Sequence, residues 1–307
     1  MSGIDRKQFL KNSALSAAGL MMGGTIAKAS GSTSSAMSAS DFDIMEEVNK
    51  YRMIDSHAHV YFRDQSPGMQ IDFADRLGIE KLVISRPMSR GGDATPEDFR
   101  RCNNLVLDCV NQYPDRFIGQ MTLNPKYKEE SLEEIKRCTD QGMVGLKVYS
   151  HVNITDPAFY PIIEKFIDLD MIILMHHGIG RSRIEPAPSE LDSVSVATDF
   201  AEISKRYPEA MFQLAHLGGG IDWEAACKAV KDCPNVYVDI SGSNNDANII
   251  DFALEYVGED RMFFGCDNSF FQGVGHVLAA KLTERQREKI FFENYNNILK
   301  KSGNNVD

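Results

Sequence analysis

The chain has 307 residues, 43% of them apolar and 25% charged, with a formal net charge of -11. That length can bury a sizeable core and suits one large α/β domain or two smaller ones. The acidic balance, with no dense run of Lys and Arg, argues against a nucleic-acid partner and leaves a small-molecule substrate as the expectation.

The first 29 residues differ in character from the rest. Arg6-Lys7-Gln8-Phe9-Leu10-Lys11 is followed by a weakly apolar run over 14–26 and then by Ala27-Lys28-Ala29, a small-x-small cleavage pattern. The run is too short and too rich in Gly and Ala to span a bilayer permanently. It resembles a twin-arginine export signal, with Arg-Lys in place of Arg-Arg, and implies a periplasmic location. Residues 30–48, rich in Ser and Ala at their start, read as a flexible linker. Six scattered cysteines form no C-x-x-C pair, so no disulfide framework is implied.

From residue 49 to 303 short apolar strands alternate with amphipathic helical stretches, in the rhythm and length of a single-domain (β/α)8 barrel, the TIM barrel of the α/β class. The strands are expected at 53–60, 81–86, 117–123, 143–149, 171–177, 211–216, 236–240 and 262–266. Helices are expected at 96–113, 129–140, 158–169, 194–206, 222–231 and 248–257. Thr95 before Pro96 and Asp156 before Pro157 supply N-caps for two of them. An open doubly wound sheet is the alternative, disfavoured because no Gly-rich phosphate fingerprint follows an early strand.

The first strand carries His57 and His59 two residues apart. On extended backbone, side chains at i and i+2 share a face, so Asp55, His57 and His59 would point the same way, as a divalent metal requires. Two histidines on one strand are an even choice between ligand pair and accident. The other strand ends tip the balance, because functional groups in such barrels come from there. Arg86 ends the second strand, Lys147 lies in the fourth, His176 and His177 end the fifth, His216 ends the sixth, and Asp267 follows the eighth. Five of the seven histidines thus fall at expected strand ends. Adjacent His176 and His177 face opposite ways on a strand, so only one can reach the barrel axis. Arg86, Arg181 and Arg183 are the candidates for pairing an anionic substrate group, the last two on a Gly- and Pro-bearing loop.

Asp55-Ser56-His57-Ala58-His59, Gly145-Leu146-Lys147, His176-His177-Gly178, Ala215-His216-Leu217-Gly218-Gly219 and Phe264-Gly265-Cys266-Asp267 follow in the order and spacing of the amidohydrolase superfamily. They most resemble its amidohydrolase-related branch of metal-dependent hydrolases and decarboxylases. The resemblance implies one divalent metal ion, usually zinc, held by His57, His59, His176 and Asp267. It implies that Asp267 also shuttles a proton and that His216 contacts substrate or bound water. Lys147 is read as an unmodified, substrate-facing cation rather than a carboxylated bridge between two metals. The expected reaction is hydrolysis, a metal-activated water attacking an ester, lactone or amide carbonyl of a carboxylate-bearing substrate. The alternative on the same site is non-oxidative decarboxylation, and Asp55, where such decarboxylases often carry Glu, tips the reading towards hydrolysis. A non-catalytic exported binding protein is the third reading, and a homodimer would be unsurprising.

Overall fold

The computed structural model describes residues 43–62, 64–88, 94–178, 193–217, 223–242, 246 and 248–307. The expected export signal, the linker up to residue 42, and Arg181 and Arg183 lie outside the described residues. Ile44–Asp307 forms one compact unit.

Among the described residues nine parallel strands run in chain order around this unit: β1 Ile54–His59, β2 Lys81–Ser85, β3 Phe117–Gly119, β4 Met121–Thr122, β5 Gly145–Val148, β6 Ile172–Met175, β7 Met211–Leu214, β8 Val236–Asp239 and β9 Met262–Phe263. They form two arcs, β1 to β3 and β4 to β9. The arcs meet at Gln120, which interrupts the expected third strand: its N–H bonds Ile84 O at 2.8 Å, while Val144 N–H bonds Gly119 O at 2.9 Å. The ring closes where Ser56 N donates to Phe264 O (2.9 Å) and Asp267 N donates to His57 O (2.7 Å). Eight strands, the third of them broken, thus make the (β/α)8 barrel. Its strands read as continuous apolar runs because helices cover the outside and side chains fill the inside.

The helices begin where local chemistry can satisfy their first N–H groups. Ser66 Oγ accepts from Met69 N (3.3 Å) ahead of Pro67–Arg76, and Asp156 accepts from Ala158 N (2.8 Å) ahead of Pro157–Phe159. Such caps contribute about 1 kcal/mol each. Pro67–Arg76 and Phe270–Ala279 were not marked by hydrophobic periodicity. The first opens on Pro-Gly, which reads as a turn, and the second carries Gly273 and Gly275. Packing decides the second: a Cβ at Gly273 would stand 2.7 Å from Cys266 Sγ, so the helix crosses the strand end at a distance only Gly permits.

Two apolar clusters of described residues hold the barrel. The larger lies between strands and helices. The smaller fills the barrel at the start of the strands, where Ile54, Val83, Val144, Ile172, Met211 and Phe263 meet Phe292, Tyr295, Ile298 and Leu299 of the closing helical segment. The lower end is therefore plugged, and the opposite end, where strands finish, is left to polar groups. Among the described residues no helix is long and apolar enough to cross a membrane.

Candidate metal centre

β1 brings the H-x-H pair to the upper end, but not by simple alternation. Its register against β2 shifts between Asp55 and Ala58, three steps on β1 matching two on β2, as in a bulge. Ser56 and His57 consequently both reach inward, Ser56 Oγ accepting from Gln213 Nε2 (3.1 Å) and His57 Nδ1 lying 3.0 Å from Asp239 Oδ2. Asp55 does not join the histidines, contrary to the alternation argument. Its Oδ1 accepts from His57 N (3.0 Å) and Cys266 N (2.9 Å), fastening the seam of the barrel, and burial pushes its carboxyl up to about 7.

Around the axis the strand ends converge. His57 and His216 rings are 4.7 Å apart, His57 and His59 5.0 Å, and His176 and His216 4.9 Å. His59 Nε2 lies 3.1 Å from both Asp267 Oδ1 and Tyr149 OH, and its Nδ1 lies 2.9 Å from Ser85 Oγ. His216 Nε2 is 3.1 Å from His176 Nδ1. Gly265 makes this crowding possible, since a Cβ there would sit 3.1 Å from Asp239 Cβ and 3.2 Å from His57 Cβ. His216, Asp267 and Asn268 have positive φ of 67°, 45° and 63°, conformations that cost non-Gly residues on the order of 1 kcal/mol or more. Asn268 is held in place by gripping both backbone groups of His59, Oδ1 accepting its N–H (2.7 Å) and Nδ2 donating to its carbonyl (2.8 Å).

The electrostatics suit a cation. Burial lowers His59 to about 4 and His216 to about 3, so both imidazoles are neutral at pH 7. Burial works to raise Asp267, but His216, His59 and His57 outweigh it and hold the carboxyl well below its ordinary range. Neutral imidazoles beside an ionised carboxylate are the donor states a divalent metal takes. His57, His59 and Asp267 place one donor atom each within 4.8 Å of one another, and buried His57 Nε2 has no hydrogen-bond partner. A metal ion accounts for that orphaned nitrogen, so the residues fit the group.

A cavity of about 470 Å³ opens onto this cluster, lined by His59, Tyr61, Phe62, Arg86, Pro87, Met88, Tyr149, His176, His216 and Asp267. Of the adjacent pair, His176 faces the cavity, while His177 packs against Phe200 (ring centres 6.2 Å apart) and bridges to Ser195. Arg86 lies on the cavity wall. Lys147, expected to face substrate, is instead fully buried with Nζ 5.0 Å from the Tyr149 ring centre, and is not among the lining residues. Sequence reasoning missed Tyr149, Asp239, Ser85, Gln213 and Ser241. The rule that found Arg86 and His216, polar residues at strand ends, would also have found Asp239 and Tyr149.

Known proteins resemble this chain in sequence and in fold. The family model described as amidohydrolase matches residues 54–294. A 2-amino-3-carboxymuconate-6-semialdehyde decarboxylase of Dictyostelium discoideum is 24% identical over 273 residues, covering 78% of this chain and 74% of the relative. A 2-keto-4-carboxy-3-hexenedioate hydratase of Sphingobium sp. is 24% identical over 242 residues, covering 64% and 70%. Among solved structures, a dihydroxybenzoic acid decarboxylase of Polaromonas sp. with bound manganese and an inhibitor superimposes with a TM-score of 0.65 at 17% identity, covering 81% of this chain and 97% of that one.

Proposed function

This chain belongs to the amidohydrolase family, and on that premise we propose that it is a metal-dependent lyase that removes carbon dioxide from a small, planar, carboxylate-bearing substrate. The observation that carries the reading is the cavity, which sets the Arg86 guanidinium and the rings of Tyr61, Phe62 and Tyr149 around His176, His216 and Asp267. A guanidinium pairs bidentately with carboxylate, and flat aromatic walls suit a ring or dienoate. The names of both curated relatives describe carboxylated substrates, one decarboxylated and one hydrated, and neither names an ester or amide. These points move the preference from hydrolysis, which becomes the second reading, to decarboxylation.

His57, His59, His176 and Asp267 are the residues that would hold the ion. When bound, a divalent metal supplies a Lewis acid that polarises an oxygen of substrate or water. Arg86 anchors a substrate carboxylate and fixes the plane of the molecule. Asp267, ionised at pH 7, first takes a proton from an acidic group of the substrate, such as a phenol or enol. It then returns that proton to the carbon from which the carboxylate departs, so that one C–C bond breaks, one C–H bond forms and carbon dioxide leaves. His216, neutral, lines the cavity beside His176. Zinc as the ion and export to the periplasm complete the proposal, tested by elemental analysis and by cell fractionation.

The experiment is a product analysis. Protein loaded with zinc or manganese is incubated with carboxylated phenols, carboxylated dienoates, lactones and esters. Stoichiometric carbon dioxide from one of the first two classes is expected. Lactone or ester cleavage without carbon dioxide would return the assignment to hydrolysis, and water addition to a dienoate alone would make it a hydratase.

A further inference from the structure

Among the described residues two groups of donors converge at the upper end: His57, His59 and Asp267, and a second made of His57, His216 and Asp239. Hydrogen bonding separates their roles. Asp239 is fully buried and accepts from five donors. Oδ2 takes His57 Nδ1 (3.0 Å) and Gln213 Nε2 (3.0 Å), and Oδ1 takes His216 N (3.1 Å), Ser241 N (3.1 Å) and, at short range, Ser241 Oγ. A carboxylate has about four lone-pair sites, so Asp239 has none left for a cation.

The same count fixes protons. Asp239 accepts and cannot donate, so the proton between it and His57 sits on His57 Nδ1, and a neutral His57 carries a bare lone pair on Nε2, the buried nitrogen that has no partner. Ser241 has one hydroxyl proton and gives it to Asp239, so its contact with His216 Nδ1 (3.0 Å) requires His216 to be the donor. His216 Nε2 then carries no proton, and its lone pair accepts from His176 Nδ1, which must donate across the 3.1 Å between them.

We infer that Asp239 is a positioning residue that sets the proton on Nδ1 of His57 directly, and of His216 through Ser241, so that His57 presents a free Nε2 lone pair to the centre and His216 an Nε2 acceptor to His176. The inference rests on the metal site proposed above, but the tautomers it assigns exist in the metal-free chain. Outer partners of this kind typically change metal affinity by about 10- to 100-fold.

The test is long-range proton–nitrogen NMR of histidine-labelled, metal-free full-length protein, with zinc affinity measured by chelator competition. Wild type is expected to show His57 and His216 protonated at Nδ1 and bare at Nε2. Ser241→Ala should free the His216 tautomer and leave that of His57. Asp239→Asn should free both and weaken zinc binding about 10- to 100-fold, with wild-type helical circular dichroism. His57 protonated at Nε2 in wild type overturns the assignment without any variant, as does zinc binding by Asp239→Asn within twofold of wild type. A wild type that shows the assigned tautomers yet binds no zinc would reject the metal-site reading alone.

Discussion

The two ends of one barrel are built from the same strands and obey opposite rules. At the lower end Ile54, Val83, Val144, Ile172, Met211 and Phe263 close on Phe292, Tyr295, Ile298 and Leu299, with the Gln120 Nε2 to Tyr295 hydroxyl bond (2.9 Å) within the plug. At the upper end the strands deliver His57, His59, His176, His216, Asp239 and Asp267 into a few ångströms of shared space. One strand can serve both ends: β1 starts at Ile54 in the plug and finishes at His59 in the site. Stability is thus concentrated where burial is apolar, and function where burial is polar and where positive φ at His216, Asp267 and Asn268 is held by hydrogen bonds rather than relieved.

Substitutions at the two ends should therefore separate activity from stability. The largest effect is expected from Asp267→Asn, which removes the proton carrier. Turnover should fall about 10²- to 10⁴-fold with little change in the melting temperature, and a variant that unfolds would break the separation. Next comes the plug. Leu299→Ala is expected to cost about 2–5 kcal/mol of stability in denaturant titration, with activity per folded molecule unchanged. Arg86→Ala should raise KM about tenfold or more while kcat falls less, measured on whichever carboxylate substrate releases carbon dioxide.

The smallest expected effect is in pH. Folded His59 and His216 resist protons down to about pH 4 and 3, whereas in the unfolded chain they take them near 6.5. The unfolded state then binds more protons between those values, so metal-free protein loses stability as pH falls from about 6.5 towards 4. Asp55, raised to about 7, binds its proton in the folded state over the same window and opposes the loss. Two histidines against one carboxyl leave a net loss, which denaturant midpoints at pH 7 and pH 5 should show, with the lower midpoint at pH 5. An unchanged or higher midpoint at pH 5 would mean that the imidazoles are not held neutral.

The lower end was largely legible in the sequence because apolar runs and turn residues mark strands whatever lies around them. The six expected helices fall within a few residues of the observed ones, from 96–113 against Pro96–Gln112 to 248–257 against Ile249–Tyr256. The upper end was legible only in part. His57, His59, His216 and Arg86 could be placed from their positions at strand ends, and His176 converges with them. Asp55 could not, because the register shift in β1 breaks the alternation on which its direction was read. Lys147 could not, because a strand lysine in a sequence does not reveal that the Tyr149 ring stands beside its ammonium group. Asp239 was passed over because its partners are the ring of His57, 182 residues earlier, and the hydroxyl of Ser241. Polar networks of that range are set by the closed ring and not by local pattern.

One metal ion at the upper end is what metal content tests most directly. Elemental analysis of the purified chain after exchange against zinc or manganese should find about one ion per chain, retained in Leu299→Ala and lost in His57→Ala while both variants stay folded. A wild type without a stoichiometric ion, or an ion that survives in full in His57→Ala, would contradict the account.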